Sequence, residues 1–157
     1  MEPFNPAFAL IALLGVLLVA AGIEDARRRT ISNAKNAAIV LLAPIWWWAS
    51  GMLAWPDLAI QLAAAGVVFA LFLGLFAMGF MGGGDVKLIA ALALWLPLGA
   101  LAWMLVAMSA IGGLLSLLML ADRAIARREG LVEVPYGVAI ACAALLALRE
   151  PILHHFP

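Results

Sequence analysis

Two polar segments of this chain place carboxylates at the edge of an apolar run. The first, "EDARRR" at residues 24–29, follows one apolar run, and the second, "GGGD" at residues 82–85, precedes another. Charged side chains beside lipid are costly, so such residues point to function. Two carboxyl groups held close together can share one proton, one acting as base on a water molecule and the other as acid toward a peptide carbonyl. This is aspartic protease chemistry, and it needs no metal.

Both segments also have simpler explanations. An aspartate before a helix, such as Asp85, is often an N-cap whose side chain bonds the first free amides. Glu24, Asp25 and the arginines can form a solvated interfacial loop. The glycines allow backbone to approach an extended peptide closely, whereas a phosphate-binding loop would continue with Gly-Lys-Ser/Thr, which is absent here. Chemistry alone leaves open whether Glu24 or Asp25 is the partner of Asp85.

The composition predicts a single membrane-embedded domain over residues 1–157. Of these residues, 68% are hydrophobic and 11% are charged, whereas soluble domains carry about 25% charged residues. The net charge is zero, which gives no electrostatic reason to expect nucleic acid. The one cysteine, Cys142, excludes an internal disulfide framework and a multi-cysteine zinc site. His154 and His155 lack the frame of a zinc protease motif, so we expect neither a metal nor a cofactor.

The elements that must position the acids are predicted to be six transmembrane helices in an all-α fold. The apolar runs cover residues 7–23, 37–54, 58–81, 86–96, 100–121 and 135–148. Residues 88–121 carry no charge, and as one helix they would span roughly 50 Å, against a hydrocarbon core of ~30 Å. We therefore expect a break at Pro97-Leu98-Gly99. The first run lacks the basic start of a signal peptide and is expected to be a retained span.

The distribution of basic residues predicts the orientation. Eight of the nine Lys and Arg residues lie in the loops after the first, third and fifth runs, so these loops are expected to be cytoplasmic, with both termini outside. The six tryptophans lie toward the opposite side, where we expect them to form an aromatic belt at the outer interface. The acids at residues 24–25 and 85 then share the cytoplasmic level.

Three stretches, in order along the chain, resemble the type IV prepilin peptidases, a family of Gly-x-Gly-Asp membrane aspartic peptidases. "GGGDVK" at residues 82–87 is similar to the Gly-x-Gly-Asp motif. "DARRRTISN" at residues 25–33 resembles Asp-x-Arg-x-x-x-Ile-Pro-Asn, with Asp25, Arg27, Ile31 and Asn33 matching and Ser32 in the place of proline. "VPYGV" at residues 134–138 is similar to the Pro-Tyr/Phe-Gly stretch before the last helix.

The resemblance implies an endopeptidase that removes the short basic leader of prepilins at the cytoplasmic face of the bacterial inner membrane. It implies Asp25 and Asp85 as the catalytic pair, with prepilin and membrane lipid as partners. The long members carry Cys-x-x-Cys motifs tied to N-methylation, and this chain has none. It therefore resembles the short branch that serves Flp/Tad-type pili, and we expect no methylation.

Other motif residues have two interpretations each. Gly82, Gly83 and Gly84 are expected to form a flexible loop that admits the leader. Lys87 is either a snorkelling interfacial lysine or part of the electrostatics of substrate and carboxyl pair. Arg27 is either a topology determinant or a residue of the substrate loop. Asn33 is either part of the active-site loop or the N-cap of the second helix.

Competing functions predict other features. Presenilin-like and signal-peptide-peptidase enzymes share Gly-x-Gly-Asp but would show Tyr-Asp and Pro-Ala-Leu motifs, and both are missing from the sequence. The rhomboid Gly-x-Ser-Gly and zinc His-Glu-x-x-His patterns are missing too. A small transporter or assembly subunit with Asp85 as a proton or cation site is the alternative from a different class. Such a protein would favour acids at the membrane midplane, whereas these acids cluster at one interface.

Overall fold

The computed structural model describes residues 6–52, 55–126 and 134–148, which form six α-helices and no strand. The helices are α1 (Pro6–Arg28), α2 (Asn33–Ala49), α3 (Asp57–Ala77), α4 (Gly83–Ala93), α5 (Leu98–Ala126) and α6 (Tyr136–Ala147). The prediction of an all-α protein is therefore confirmed. The six-span topology and the placement of the termini stay predictions.

Three of the described helices are long and apolar enough to cross a bilayer, namely Pro6–Arg28, Asp57–Ala77 and Leu98–Ile125. The other three are shorter, at 17, 11 and 12 residues for α2, α4 and α6. At about 1.5 Å per residue, a helix as short as α4 reaches only about half of a ~30 Å hydrocarbon core. Its free backbone ends must therefore find partners inside the protein.

The two shortest helices lie at the centre of the bundle. α4 contacts α2, α3 and α6, while α6 contacts α1, α4 and α5. Most side chains of α4 are buried, among them Leu88, Ile89 and Leu92, while Lys87 is exposed. The long helices turn apolar side chains outward, such as Val16, Val67 and Val106, which are 65–71% exposed. An apolar exterior of this extent is typical of a lipid-facing surface.

The long uncharged run is indeed divided into two helices, and side chains from neighbouring helices satisfy the exposed end of the first. α4 ends at Ala93, and α5 begins directly after Pro97. Gln61 Nε2 donates to the carbonyls of Ala93 and Leu96 at 2.6 and 2.7 Å. Trp47 Nε1 donates to the carbonyl of Leu94 at 2.8 Å. These bonds replace water for the last carbonyls of α4.

The aromatic-belt prediction is wrong for three of the tryptophans. Trp46, Trp47 and Trp95 are buried in the protein. The ring of Trp46 stacks on that of Trp95, with centroids 5.7 Å apart. Trp95 Nε1 donates to the carbonyl of Ile39 at 2.9 Å. Trp47 and Trp95 thus donate hydrogen bonds within the interior, whereas Trp46 Nε1 is buried without a hydrogen-bond partner among the described residues.

Several helix bounds differ from the predicted ones. α1 continues through Glu24 and Asp25 to Arg28, five residues beyond the predicted end. α2 starts four residues earlier than expected and ends at Ala49, and α3 ends at Ala77, before Gly79 with φ 79°. The α5 helix extends to Ala126, and α6 agrees with its prediction to within a residue at each end. Charged ends of membrane helices stay helical because the backbone bonds persist where the hydropathy signal has stopped.

The prediction of a glycine loop over residues 82–84 is wrong in its bounds. Gly82 is the N-cap residue, with φ −73° and ψ 144°, while Gly83 and Gly84 are already helical. A Cβ on Gly83 would lie 3.3 Å from the ring of Phe76, and one on Gly84 would lie 3.3 Å from the backbone nitrogen of Ile31. The glycines therefore serve close packing at the first turn of α4, which outweighs their poor helix propensity.

Candidate active site

Helix geometry separates the two acids at the end of α1. Successive helical residues point about 100° apart, so Glu24 and Asp25 face different surroundings. Glu24 accepts a hydrogen bond from the N–H of Ser32 at 2.9 Å and pairs with Lys35 at 2.7 Å. Asp25 points inward and is only 5% exposed. Of the two candidates that the chemistry left open, Asp25 is the one directed into the protein.

The carboxylate of Asp25 lies against the first turn of α6. The N–H of Val138 donates to Oδ2 at 3.3 Å, and the N–H of Gly137 lies beside the same carboxylate. The charge of Arg29 acts on Asp25 as well. Arg29 follows the last turn of α1 with φ 55°, and its N–H donates to the carbonyl of Asp25 at 2.9 Å. Its left-handed backbone ends the helix and turns the chain toward α2.

The short connection from α1 to α2 carries Ile31 into the interior. Ile31 is buried and lies between α4 and α6. A Cβ on Gly84 would be 3.3 Å from Ile31 Cβ, and a Cβ on Gly137 would be 2.8 Å from Ile31 Cδ1. The Ile31 side chain thus contacts α4, which carries Asp85, and α6, whose first turn lies against the Asp25 carboxylate.

Asp85 is the third residue of α4. Its carboxylate lies beside the backbone N–H of Gly82, and a Cβ on Gly82 would lie 3.1 Å from Oδ2. An acid at this position that reaches back to the N-cap residue is the second half of a capping box. The N-cap interpretation is therefore corrected: Gly82 occupies that position, and Asp85 caps the helix from within its first turn. The partly buried carboxylate has a structural contact whether or not it has a chemical role.

The structure brings Asp25 and Asp85 to the same end of the bundle, which we call the acidic end. Ile31 packs at Gly84, the residue before Asp85, and at Gly137, beside the Asp25 carboxylate. The two carboxyl groups come from separate helices, and the charge of Asp25 acts on the Asp85 carboxyl group. An arrangement with the acids at opposite ends, which would have contradicted the peptidase interpretation, is not found. Their catalytic role stays a prediction.

The remaining predicted site residues lie around this end without joining the carboxyl pair. Lys87 Nζ donates to Asn33 Oδ1 at 2.8 Å in an exposed bond between α4 and α2. Asn33 is the first residue of α2 and Ser32 is its N-cap, so the capping role considered for Asn33 is wrong. Arg27 is exposed on the last turn of α1.

Sequence reasoning missed one polar residue of the acidic end. Asn36 is 3% exposed, and its Nδ2 donates to the carbonyl of Gly84 at 3.2 Å. Its Oδ1 is buried without a hydrogen-bond partner. The bond holds α2 against the turn that precedes Asp85. Asparagine side chains are mostly exposed. The signal available in the sequence was the position of Asn36 directly before the apolar run that begins at residue 37.

An apolar cavity of about 220 Å³ adjoins the acidic end between α3, α5 and α6. It is lined by Phe72, Leu75, Met81, Met108, Ser109, Tyr136, Ala139 and Ile140. Two of these residues adjoin the motifs, since Met81 precedes Gly82 and Tyr136 precedes Gly137. The lining suits an apolar segment rather than a charged one.

The described part of the chain contains no group of three or more His, Cys, Asp or Glu side chains that could hold a metal ion. His154 and His155 lie outside the described residues. What the acidic end offers chemically is a pair of interacting carboxyl groups, backbone amides against one of them, and glycines where the helices meet. These groups suit acid–base chemistry on water.

Comparison with known proteins identifies the family. The model of the type IV leader peptidase family matches residues 11–117, which include both acidic segments and the helices that carry them. Comparisons with curated proteins and with solved structures gave no significant match. The family match confirms the resemblance inferred from the motifs and covers more than half of the sequence. The chain therefore belongs to the type IV leader peptidase family and is a peptidase of the membrane.

Proposed function

We propose that this protein removes the short basic leader from type IV prepilins of the Flp/Tad type, with Asp25 and Asp85 as its catalytic pair. The observation that carries the proposal is the meeting of two motif aspartates from separate helices at one end of the bundle, where their charges interact. Glu24, the other acid that the sequence left open, is paired with Lys35 instead.

The mechanism uses one ionised and one protonated carboxyl group. The ionised group takes a proton from water, and the resulting hydroxide attacks the scissile carbonyl carbon. The protonated group hydrogen-bonds the carbonyl oxygen and neutralises the charge that develops there. When the C–N bond breaks, the nitrogen takes a proton from the pair and leaves as an amine, while the carbonyl product is a carboxylic acid. Atoms and charge balance without a metal or cofactor.

The proposed setting is the bacterial inner membrane, with six membrane-embedded helices, both termini outside and the acidic end at the cytoplasmic face. Basic residues at the end of α1 and in the segment after α5 support this orientation under the positive-inside rule. A prepilin whose basic leader lies at that face presents its leader junction at the level of Asp25 and Asp85. The product is expected to leave unmethylated.

The test is leader removal from a Flp-type prepilin co-expressed in membranes, followed by gel shift and N-terminal sequencing. Asp25→Asn and Asp85→Asn are each expected to lower the rate by at least about 10²-fold, because acid–base groups contribute 10²–10⁴-fold. Asparagine keeps an oxygen that can accept the backbone bonds of Val138 and Gly82. A purely capping role would therefore survive these substitutions.

Glu24→Gln is the matched control, because it removes the neighbouring carboxylate without touching the proposed pair. It is expected to cleave within about threefold of wild type. If folded Asp25→Asn and Asp85→Asn variants cleave as fast as wild type, the aspartates are only helix caps. The transporter or assembly-subunit alternative would then become the better account of Asp85.

A further inference from the structure

We infer that the first turn of α6 positions the catalytic carboxylate of Asp25, with Gly137 as the positioning residue that makes room for it. The inference rests on the proposed function and adds α6, which lies beyond the residues of the family match, to the active site.

The α6 helix uses the Asp25 carboxylate in place of a cap of its own. Its N-cap residue is Pro135, which makes no side-chain capping bond. The second and third helical residues, Gly137 and Val138, then carry N–H groups that an N-cap side chain would normally satisfy. The N–H of Val138 is shared between the carbonyl of Pro135, at 3.2 Å, and Oδ2 of Asp25, at 3.3 Å, and the N–H of Gly137 lies beside the same carboxylate.

The contact requires a residue without a side chain at position 137. A Cβ there would lie 2.8 Å from both Cγ and Oδ2 of Asp25, and 2.8 Å from Ile31 Cδ1. Real Cβ atoms essentially never approach heavy atoms this closely, so a side chain would force a displacement. The backbone of α6 has little freedom to move away, because α6 already packs closely on α1 nearby. A Cβ on Gly22 of α1 would lie 3.3 Å from the Cβ of Ala141 of α6.

The same geometry predicts which group moves when bulk is added. Gly137 is helical, so Ala fits its backbone and gains helix propensity. The added methyl group must displace the Asp25 side chain from the α6 amides or push Ile31 toward Gly84. In either case the spacing between Asp25 and Asp85 changes, although the helices remain folded.

The experiment measures cleavage kinetics and pH–rate profiles of the purified full chain in detergent or vesicles, on a prepilin substrate. Gly137→Ala is expected to lower kcat by about a hundredfold with little change in KM, as for a misplacement of about 1 Å. Its pH–rate profile should also be displaced, because the carboxylate has lost donors that bind its charged form. Loss of folded protein would only scale the profile. Two other charged groups interact with Asp25 and contribute to this profile: Arg29, whose charge acts on Asp25, and Asp85, on which the charge of Asp25 acts.

Gly22→Ala is the matched control, since it crowds the same α1–α6 contact without reaching the carboxylate. It is expected to lower thermal stability and leave kcat per folded molecule within about threefold of wild type. If Gly137→Ala and Gly22→Ala scale activity alike, with superimposable pH profiles, the contact is only packing and the inference is overturned.

A second pair of variants tests the donor without adding bulk at position 137. Val138→Pro deletes the N–H that the Asp25 carboxylate and the Pro135 carbonyl share. Proline is tolerated in the first helical turn, and Val138→Ala keeps the N–H. The inference expects Val138→Pro to lose kcat by about tenfold or more relative to Val138→Ala. Equal rates for the two would refute it. These variants also give the answer if Gly137→Ala does not fold.

Failure of the inference and failure of the proposed function give different results. If Asp25→Asn abolishes cleavage while Gly137→Ala and Val138→Pro cleave like wild type, only the positioning role of α6 falls. If a folded Asp25→Asn variant still cleaves, the proposed function fails and the inference falls with it.

Discussion

Gln61 offers a direct test of how the short helix α4 is held inside the membrane. Its side chain is 6% exposed, and its Nε2 donates to two carbonyls at the end of α4, those of Ala93 and Leu96. We expect Gln61→Leu to destabilise the folded protein, because no water is available to replace the lost donor. Leucine has nearly the same helix propensity as glutamine, so loss of the donor is the main change.

The magnitude follows from the two bonds. Side-chain hydrogen bonds inside membrane proteins average about 0.6 kcal/mol and reach about 1.7 kcal/mol. Both Gln61 bonds are short, at 2.6 and 2.7 Å, which favours the upper half of that range. We therefore expect the free energy of unfolding to fall by about 2–3.5 kcal/mol.

The assay is reversible unfolding of the purified protein in mixed micelles, with tryptophan fluorescence as the signal. Ser109→Ala is the control, because the exposed Ser109 hydroxyl donates to the Leu105 carbonyl one turn earlier in the same helix. That carbonyl lies within a regular helix and keeps its backbone bond, so a loss below about 0.5 kcal/mol is expected. A Gln61→Leu protein as stable as Ser109→Ala would refute the reasoning, since the carbonyls would then have other partners.

Three further substitutions test the acidic end. Ser32→Pro should cleave within about threefold of wild type in the prepilin assay, because Ser32 has φ −65° and loses only two bonds away from the carboxyl pair, its N–H bond to Glu24 and its Oγ bond from Lys35; a tenfold loss would contradict this. Asn36→Leu should cost about 0.5–1.5 kcal/mol in micelle unfolding and lower kcat, because it removes the side-chain bond that joins α2 to the Gly84 carbonyl of α4; wild-type stability and rate would show that the bond is dispensable. Lys87→Met, on an exposed bond, should keep kcat within about threefold, and a hundredfold loss would give Lys87 a direct role.

The acids show how far local sequence information extends. Motif spacing selected Asp25 over Glu24, whereas the chemistry of the two side chains did not. The structure supplies the physical distinction: α1 continues past both residues, so one helical step of about 100° directs Glu24 to Lys35 and Asp25 to α6. The predicted end at residue 23 hid this, because a hydropathy run stops at the first charge while the helical backbone does not.

The tryptophans and glycines show where local patterns mislead. Aromatic residues near a membrane helix end predict an interfacial belt, yet Trp47 and Trp95 donate hydrogen bonds within the interior. Glycines predict a loop, yet Gly83 and Gly84 are helical because Phe76 and Ile31 occupy the space that side chains would need. In each case the deciding neighbour lies elsewhere in the chain, outside the helix concerned.

The sequence by itself determined that this is an all-α membrane protein, where its long apolar run is interrupted, and which family its motifs belong to. The first two properties follow from composition, apolar segment length and proline. The family follows from the resemblance of three short motifs, and all of these signals are local along the chain. Only the tertiary structure decided which groups meet: Ile31 between Gly84 and Gly137, Asn36 on the Gly84 carbonyl, and the α6 amides on Asp25. Such contacts join residues up to 113 positions apart, and they depend on how helices with similar apolar surfaces pack together, which no local pattern specifies.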